Sequence, residues 1–249
     1  MKKTTFRLKA WLSELIAPTE CRCLNCGREL FDGLGFCDEC KRSAILNDGK
    51  TCKRCGTSIE GAEDYCGNCA FDKIYFDKGY SAFVYDGAVR DAILRFKFGN
   101  CGNFARVFAK FLAAVAVKQG IEFDIVTFAP MSKKSLKQRG YNQAQLLAEY
   151  FCAILECSEK LCDAVAKVKE TSRQELLSRA ERKSNLVGAY RCTADVVGKR
   201  VLVIDDIKTT GATLNECAKV LKKAGASSVI GLTVASPREK FEYEVEDEG

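Results

Sequence analysis

Residues 201–214, VLVIDDIKTTGATL, decide the fold. Four apolar residues, Val201 to Ile204, form a strand-length run ending in the adjacent carboxylates Asp205 and Asp206. A loop follows with Lys208, the hydroxyls of Thr209, Thr210 and Thr213, and the small residues Gly211 and Ala212, and an amphipathic helix begins around Leu214. A strand-to-helix turn of this kind binds phosphate, because the first backbone N–H groups of a helix lack intrahelical partners and the macrodipole is positive there. Gly211 lets the backbone approach a ligand closely. Two acids beside an anion site are electrostatically out of place unless they serve sugar hydroxyls or a cation. Together the parts describe a cradle for a ribose 5-phosphate, with Lys208 either reaching the phosphate or turned to solvent. The string lacks the G-x-x-x-x-G-K-[ST] pattern of a Walker A loop.

Outward from this stretch, short apolar runs alternate with helical stripes. Strands are expected at 79–85, 125–129, 164–168, 201–204 and 229–234. The i, i+3, i+4, i+7 spacing appears in Val89, Ala92, Ile93 and Phe96, in Ala144, Leu147, Ala148 and Phe151, and in Leu214, Cys217, Ala218 and Leu221. Strands alternating with helices imply an α/β domain with a largely parallel sheet over 78–236. Arg95 and Lys97 on the first of these helices are expected on a solvated face, and the sparse cysteines beyond residue 70 are expected to act as small core hydrophobes.

The front of the chain follows another logic. Eight of its cysteines form four C-x-x-C pairs, Cys23/Cys26, Cys37/Cys40, Cys52/Cys55 and Cys66/Cys69, which repeat with a period of 29 residues. Gly27 maps onto Gly56 and Phe36 onto Tyr65, so residues 21–72 are an internal duplication. Two residues between thiolates let a tight turn aim both sulfurs at one ion, and ten residues separate the pairs within each repeat, enough for a short hairpin. Each half is expected to be a Cys₄ zinc ribbon, paired sequentially with one Zn²⁺ per repeat; interleaved pairing is the rival. With four thiolates on each ion no position is left for water, so both zincs are structural. Cys21 lies outside the repeat and is expected to be a bystander.

Composition removes whole classes of chemistry. The chain of 249 residues contains no histidine, so a histidine base, a histidine metal ligand and a Ser-His-Asp unit are all excluded. Fifteen cysteines in a chain that is 47% hydrophobic do not suit a short secreted disulfide scaffold. Residues 1–20 suggest a short amphipathic helix without a leader cleavage site, no run is long enough to insert in a membrane, and a cytoplasmic location is expected. The formal charge is +6, but residues 237–249 form an acidic tail, and residues 1–240 carry 39 basic against 28 acidic side chains. Two thiolate-bound zinc sites would lower the total to about +2, so charge alone says little about nucleic acid.

Residues 201–213 resemble the PRPP-binding motif of type I phosphoribosyltransferases, an apolar run followed by D-D-x-x-T-T-G-A-T. RGYNQAQLLA at 139–148, and Gln174, Leu177, Arg182 and Asn185 in the segment ending at Tyr190, narrow the match. With the four C-x-x-C pairs in front, residues 21–236 resemble the ComF family of competence-related proteins. The resemblance implies a double zinc ribbon followed by a phosphoribosyltransferase-like domain, with a link to uptake or use of external DNA. It implies that Asp205 and Asp206 contact the ribose hydroxyls, and that Lys208, Thr209, Thr210, Gly211, Ala212 and Thr213 surround the 5-phosphate. It also implies that Arg139, with Lys133 and Lys134, lies on a pyrophosphate-facing loop, and that Lys169, Gln174, Arg182 and Asn185 belong to a hood over the site. Lys169 stands where the family pattern carries arginine, which weakens a bidentate contact there. The implied cofactor beside zinc is Mg²⁺ with PRPP; the implied partners are PRPP, single-stranded DNA and other competence or DNA-uptake proteins. Two readings stay open: transfer of phosphoribose to an unidentified acceptor, or a non-catalytic module that senses PRPP or binds single-stranded DNA or protein. Asn142 is open between a site role and a helix cap. Phe96, Phe98 and Tyr141 are open between base stacking and core packing.

Overall fold

A computed structural model describes residues 21–30, 35–169, 186 and 188–240. The expected N-terminal helix, the hood residues Gln174, Arg182 and Asn185, and the tail from residue 241 lie outside them. In chain order the elements are α1 (Asp38–Lys41), β1 (Ser58–Glu60), α2 (Gly67–Phe71), β2 (Lys78–Val84), α3 (Gly87–Phe98), α4 (Phe104–Lys118), β3 (Ile125–Phe128), α5 (Lys133–Arg139), α6 (Gln143–Ile154), β4 (Val165–Lys167), β5 (Tyr190–Cys192), β6 (Arg200–Ile207), α7 (Ala212–Lys223), β7 (Ser228–Ser236) and β8 (Arg238–Lys240). Among the described residues no helix is long and apolar enough to cross a membrane.

Four strands, in the order β2-β7-β6-β3, make a wholly parallel sheet. Their apolar runs are buried on both faces, as parallel strands require. Alternation along β6 divides the interior: Leu202 and Ile204 join α3, α4 and α6 on one face, while Val201 and Val203 join α7 on the other. The expected strand at 164–168 forms, but outside this sheet: β4 pairs with β5 in a separate antiparallel ladder.

The cysteine ribbons are not a separate bead. Cys23, Leu24, Phe36, Cys37 and Cys40 of the first repeat belong to the core on the α3/α4/α6 face, where Phe36 meets Phe83 edge-on at 6.1 Å. Cys52, Cys55, Ile59, Cys66 and Cys69 of the second belong to the core on the α7 face. The duplicated unit therefore straddles the edge of the sheet, one repeat serving each face. The seam is tight: Gly79 N donates to Arg54 O at 2.8 Å, and Asn47 N donates to Ala82 O at 2.9 Å.

Residues 238–240, expected to start the acidic tail, instead cross back as β8 and pair in parallel with β1 of the second ribbon. Side chains reinforce this return, because Arg238 pairs with Glu60 at 2.9 Å and Glu239 accepts from Gly67 N at 2.7 Å. Segment 133–139, expected as a basic loop, is the helix α5. Ser132 caps it by accepting from Ser135 N at 3.1 Å, and Gly140 ends it in the left-handed conformation at φ 79°.

Candidate functional site: a carboxylate pair, a phosphate loop and two thiol clusters

β6 runs on past its apolar stretch through Asp205 and Asp206 to Ile207, held to β7 by the Asp205–Thr233 and Ile207–Ala235 pairings. Because successive strand residues face opposite sides, the two carboxylates diverge. Asp206 continues the Leu202/Ile204 face and meets α3, where Lys97 Nζ lies 3.3 Å from its Oδ1. Asp205 continues the Val201/Val203 face towards α7 and β5, and its Oδ1 accepts from Asp206 N at 2.8 Å. Partial burial of the Asp205 carboxyl, and secondarily the charge of Asp206, push its pKa above the usual carboxylate range; the Asp206 N–H and then Lys97 pull the other way. The acid on the α7 face is thus proton-holding, while its neighbour has a lysine partner.

After Ile207 the chain turns through residues 208–211 into α7. Gly211 is the N-cap of α7 in the left-handed conformation, φ 76°, with no side-chain cap. The helix therefore presents backbone N–H groups at its start, with Thr210 Oγ1 3.3 Å from Ala212 N. Not every residue of the motif faces this turn. The Thr213 hydroxyl is hydrogen-bonded to Tyr190, a phenol that burial pushes far above its ordinary pKa. Lys208, expected on the phosphate or in solvent, does neither: it is 4% exposed and its ammonium contacts Thr57 and Cys55 of the second ribbon. The physical reason is that Ile207 ends the strand against β7 and the next side chain is directed across the seam.

The two α3 cations expected on a solvated face divide: Arg95 is exposed as expected, whereas Lys97 is largely covered. Arg95 donates to Leu24 O at 2.8 Å and to Asn25 O at 2.5 Å, gripping the first knuckle. Lys97 reaches Asp206, and the ring of Phe98, 57% exposed, lies under the guanidinium of Arg139 at 4.7 Å. The end of one helix thus touches the first ribbon, the carboxylate pair and the basic helix. Of the aromatic candidates, Phe96 is wholly buried and Tyr141 nearly so, its hydroxyl donating to Phe96 O at 2.5 Å. Asn142 is a cap: its Oδ1 accepts from Ala144 N and its Nδ2 donates to Ala129 O, both at 3.0 Å. Lys133, Lys134 and Lys169 are exposed.

The eight paired cysteines form two groups in sequential order, Cys23, Cys26, Cys37 and Cys40, then Cys52, Cys55, Cys66 and Cys69. Within each, the sulfurs lie within 4.8 Å of one another, with Cys26 and Cys37 at 3.7 Å and Cys55 and Cys66 at 3.5 Å. Tetrahedral zinc with Zn–S near 2.3 Å needs sulfurs about 3.8 Å apart, so both groups fit the ion. The knuckles arise because Gly27 and Gly56 take left-handed φ, 76° and 67°, where N–H groups of the turn fold back on Cys23 O and Cys52 O. The second group is wholly buried, whereas Cys26 of the first is exposed. Two basic side chains near the knuckles are ion-paired, Arg28 with Glu39 at 3.0 Å and Lys53 with Asp64 at 2.6 Å.

Fold and site define a class: a phosphoribosyltransferase-type α/β domain built onto a double zinc ribbon. Residues 135–247 match the model of the phosphoribosyl transferase domain, and residues 12–70 match that of the double zinc ribbon domain. Competence protein F of Haemophilus influenzae is 30% identical over 217 residues, covering 84% of this chain and 93% of that protein. DNA utilization protein YhgH of Escherichia coli K12 is 28% identical over 200 residues, covering 78% and 87%. Competence protein ComFC of Streptococcus pneumoniae is 28% identical over 227 residues, covering 84% and 96%. The chain belongs to the ComF family.

Proposed function

We propose that the chain binds PRPP with Mg²⁺ at the β6–α7 turn and acts in the cytoplasm in the uptake or use of external DNA, transferring phosphoribose to an acceptor. The observation that carries the reading is the placement of Asp205 and Asp206 at the end of β6, directly before the left-handed Gly211 turn and the start of α7. A 5-phosphate there is held by the backbone N–H groups of the turn and the hydroxyls of Thr209 and Thr210. The ribose hydroxyls fall to the two carboxylates, and pyrophosphate faces Arg139, Lys133 and Lys134. Lys97 belongs to this set through Asp206. The DNA part of the reading rests on the names of the relatives, competence and DNA utilization proteins.

Transfer breaks the bond from the anomeric carbon to pyrophosphate and forms one to the acceptor, through an oxocarbenium-like state. Mg²⁺, when bound with PRPP, neutralises charge on the leaving pyrophosphate. This chain's residues position the sugar and hold its charges, which is where most of the rate in such a displacement originates. No histidine is available as a base. Asp205, with its raised pKa, can hold a proton near neutrality beside the ribose site.

A non-catalytic reading is favoured by one observation: the exposed Phe98 ring carries Arg139, is next in sequence to Lys97, the partner of Asp206, and offers a stacking surface for a base of single-stranded DNA. Calorimetric titration of PRPP and Mg²⁺ into the wild type and an Asp205→Asn/Asp206→Asn variant separates the possibilities. Magnesium-dependent binding lost in the variant supports the PRPP site, and pyrophosphate release with candidate acceptors then tests turnover. No binding by the folded wild type overturns the reading. Single-stranded DNA affinity that falls steeply with salt and drops in Phe98→Ala supports the second reading.

A further inference from the structure

Lys208 belongs to the phosphate loop by its backbone and to the second ribbon by its side chain. Its N–H donates to Ala235 O at 3.0 Å, which fixes the loop to the end of β7. Its stem passes beneath the turn, with Cγ and Cδ 3.8 and 3.9 Å from where a Cβ on Gly211 would sit. Its ammonium ends on Thr57 Oγ1 and 3.4 Å from Cys55 Sγ, and Thr57 Oγ1 is itself 3.2 Å from that sulfur. All three residues are buried.

A buried ammonium needs an opposite charge. Among the described residues the partners of Lys208 are Cys55 and Thr57, and no carboxylate is one of them. Four thiolates on one Zn²⁺ carry a net charge of −2, so a loaded second cluster supplies the missing charge. Among the described residues the first cluster has no such link to the loop: the sulfur of Cys40 meets a neutral donor, Asn25 Nδ2, at 3.3 Å.

We propose that Lys208 is a positioning residue that ties the phosphate loop to the second zinc cluster. The loaded cluster holds the ammonium, the stem supports the Gly211 turn, and loss of that zinc releases the loop. Zinc in the second ribbon thereby governs the geometry of a site across the seam, while zinc in the first does not. This goes beyond the PRPP reading and holds whatever anion the loop takes.

The test uses the full-length zinc-loaded protein and needs no nucleotide. Under a chelator, pulsed thiol alkylation read peptide by peptide reports release from Cys52–Cys69 separately from Cys23–Cys40. Amide hydrogen exchange over residues 207–213 reports the loop. Lys208→Met, which keeps the stem and removes the charge, should speed alkylation of the second cluster by about tenfold, the low end of what outer-sphere partners contribute. It should leave the first cluster unchanged and raise exchange over 207–213. Lys208→Arg should lie closer to the wild type on both measures. In the wild type alone, molecules whose second cluster has been alkylated should show the raised loop exchange, and molecules alkylated only in the first should not. That arm keeps the test decisive if Lys208→Met fails to fold. Loop exchange indifferent to the state of the second cluster overturns the proposal, as does Lys208→Met loosening both clusters equally. Failure of PRPP to bind would sink the functional reading and leave these two measures untouched.

Discussion

Lys97 on α3 and Asp206 on β6 form a nearly buried ion pair at 3.3 Å, bringing a helix of one core face onto the carboxylate pair of the candidate site. Removing one partner of such a pair strands the other charge, which costs more than the pair contributes. Lys97→Met should therefore lower unfolding stability by on the order of 3 kcal/mol, and restoring neutrality with Asp206→Asn should recover much of it. Denaturant melts of the two single variants and the double variant give the coupling. The expected result is a double variant more stable than the sum of the single losses. Strict additivity would mean that the contact carries no weight.

Asp205 leads to a pH prediction with a definite sign. Its folded pKa lies above the ordinary value, so between the two the native state binds more protons than the unfolded chain. Its contribution to unfolding stability must then fall as pH rises from about 4, the ordinary carboxylate value, towards the raised folded value, and level off beyond it. Asp205→Asn should flatten this slope and, on the alkaline side, be more stable than the wild type. Urea melts across that range check it. A wild type and variant with parallel pH profiles would show that the burial of Asp205 is relieved in solution.

The thiol clusters differ in access, and so should their metals. Purified protein should carry two zinc ions per chain, because each sulfur group meets the tetrahedral requirement. Graded chelation should empty the first site before the second, since Cys26 is exposed whereas Cys52, Cys55, Cys66 and Cys69 are all buried. Alkylation mapping during chelation gives the order. Cys26→Ser should reduce the content to about one ion and leave the second cluster protected. Loss of both ions together would contradict the separation.

How much of this was readable from the chain alone follows from the range of the interactions. The strand, loop and helix of residues 200–223 and the two thiol groups are local, encoded by a continuous string and a repeated spacing. The caps of α5 were also local, Ser132 and Gly140, but three lysines between them suggested a loop. Helix α4, FARVFAKFLAAVAVK, is local too, with Arg106, Lys110 and Lys118 along one exposed face and its buried apolar residues on the other. What was illegible depends on chain segments far apart. Lys97 and Arg95 look like any exposed helix cations until Asp206 and the Leu24 carbonyl are brought to them. Three-residue strands such as β1 and β8 carry no periodicity, so their pairing across the chain leaves no trace in either segment. Lys208 has the signature of a ligand contact, and only the seam with the second ribbon turns it inward.

That seam can be tested at its narrowest point. Gly56 combines left-handed φ, 67°, with a close approach: a Cβ there would lie 2.4 Å from Gly79 O and 3.0 Å from Tyr80 Cα. From the other side, a Cβ on Gly79 would lie 2.8 Å from Cys55 O. Backbone atoms cannot give way as a flexible side chain can, so the ribbon must shift off β2. Gly56→Ala should cost at least about 2 kcal/mol, combining the left-handed penalty with the lost contact. Gly27→Ala takes the equivalent turn in the first repeat, at φ 76° with no atom within 4 Å of the added Cβ, and should pay the conformational penalty alone. Thermal melts of the two variants therefore separate turn strain from seam packing. A Gly56→Ala loss no larger than that of Gly27→Ala would mean that the second ribbon is not pressed against the sheet, and its link to the phosphate loop would lose its structural basis.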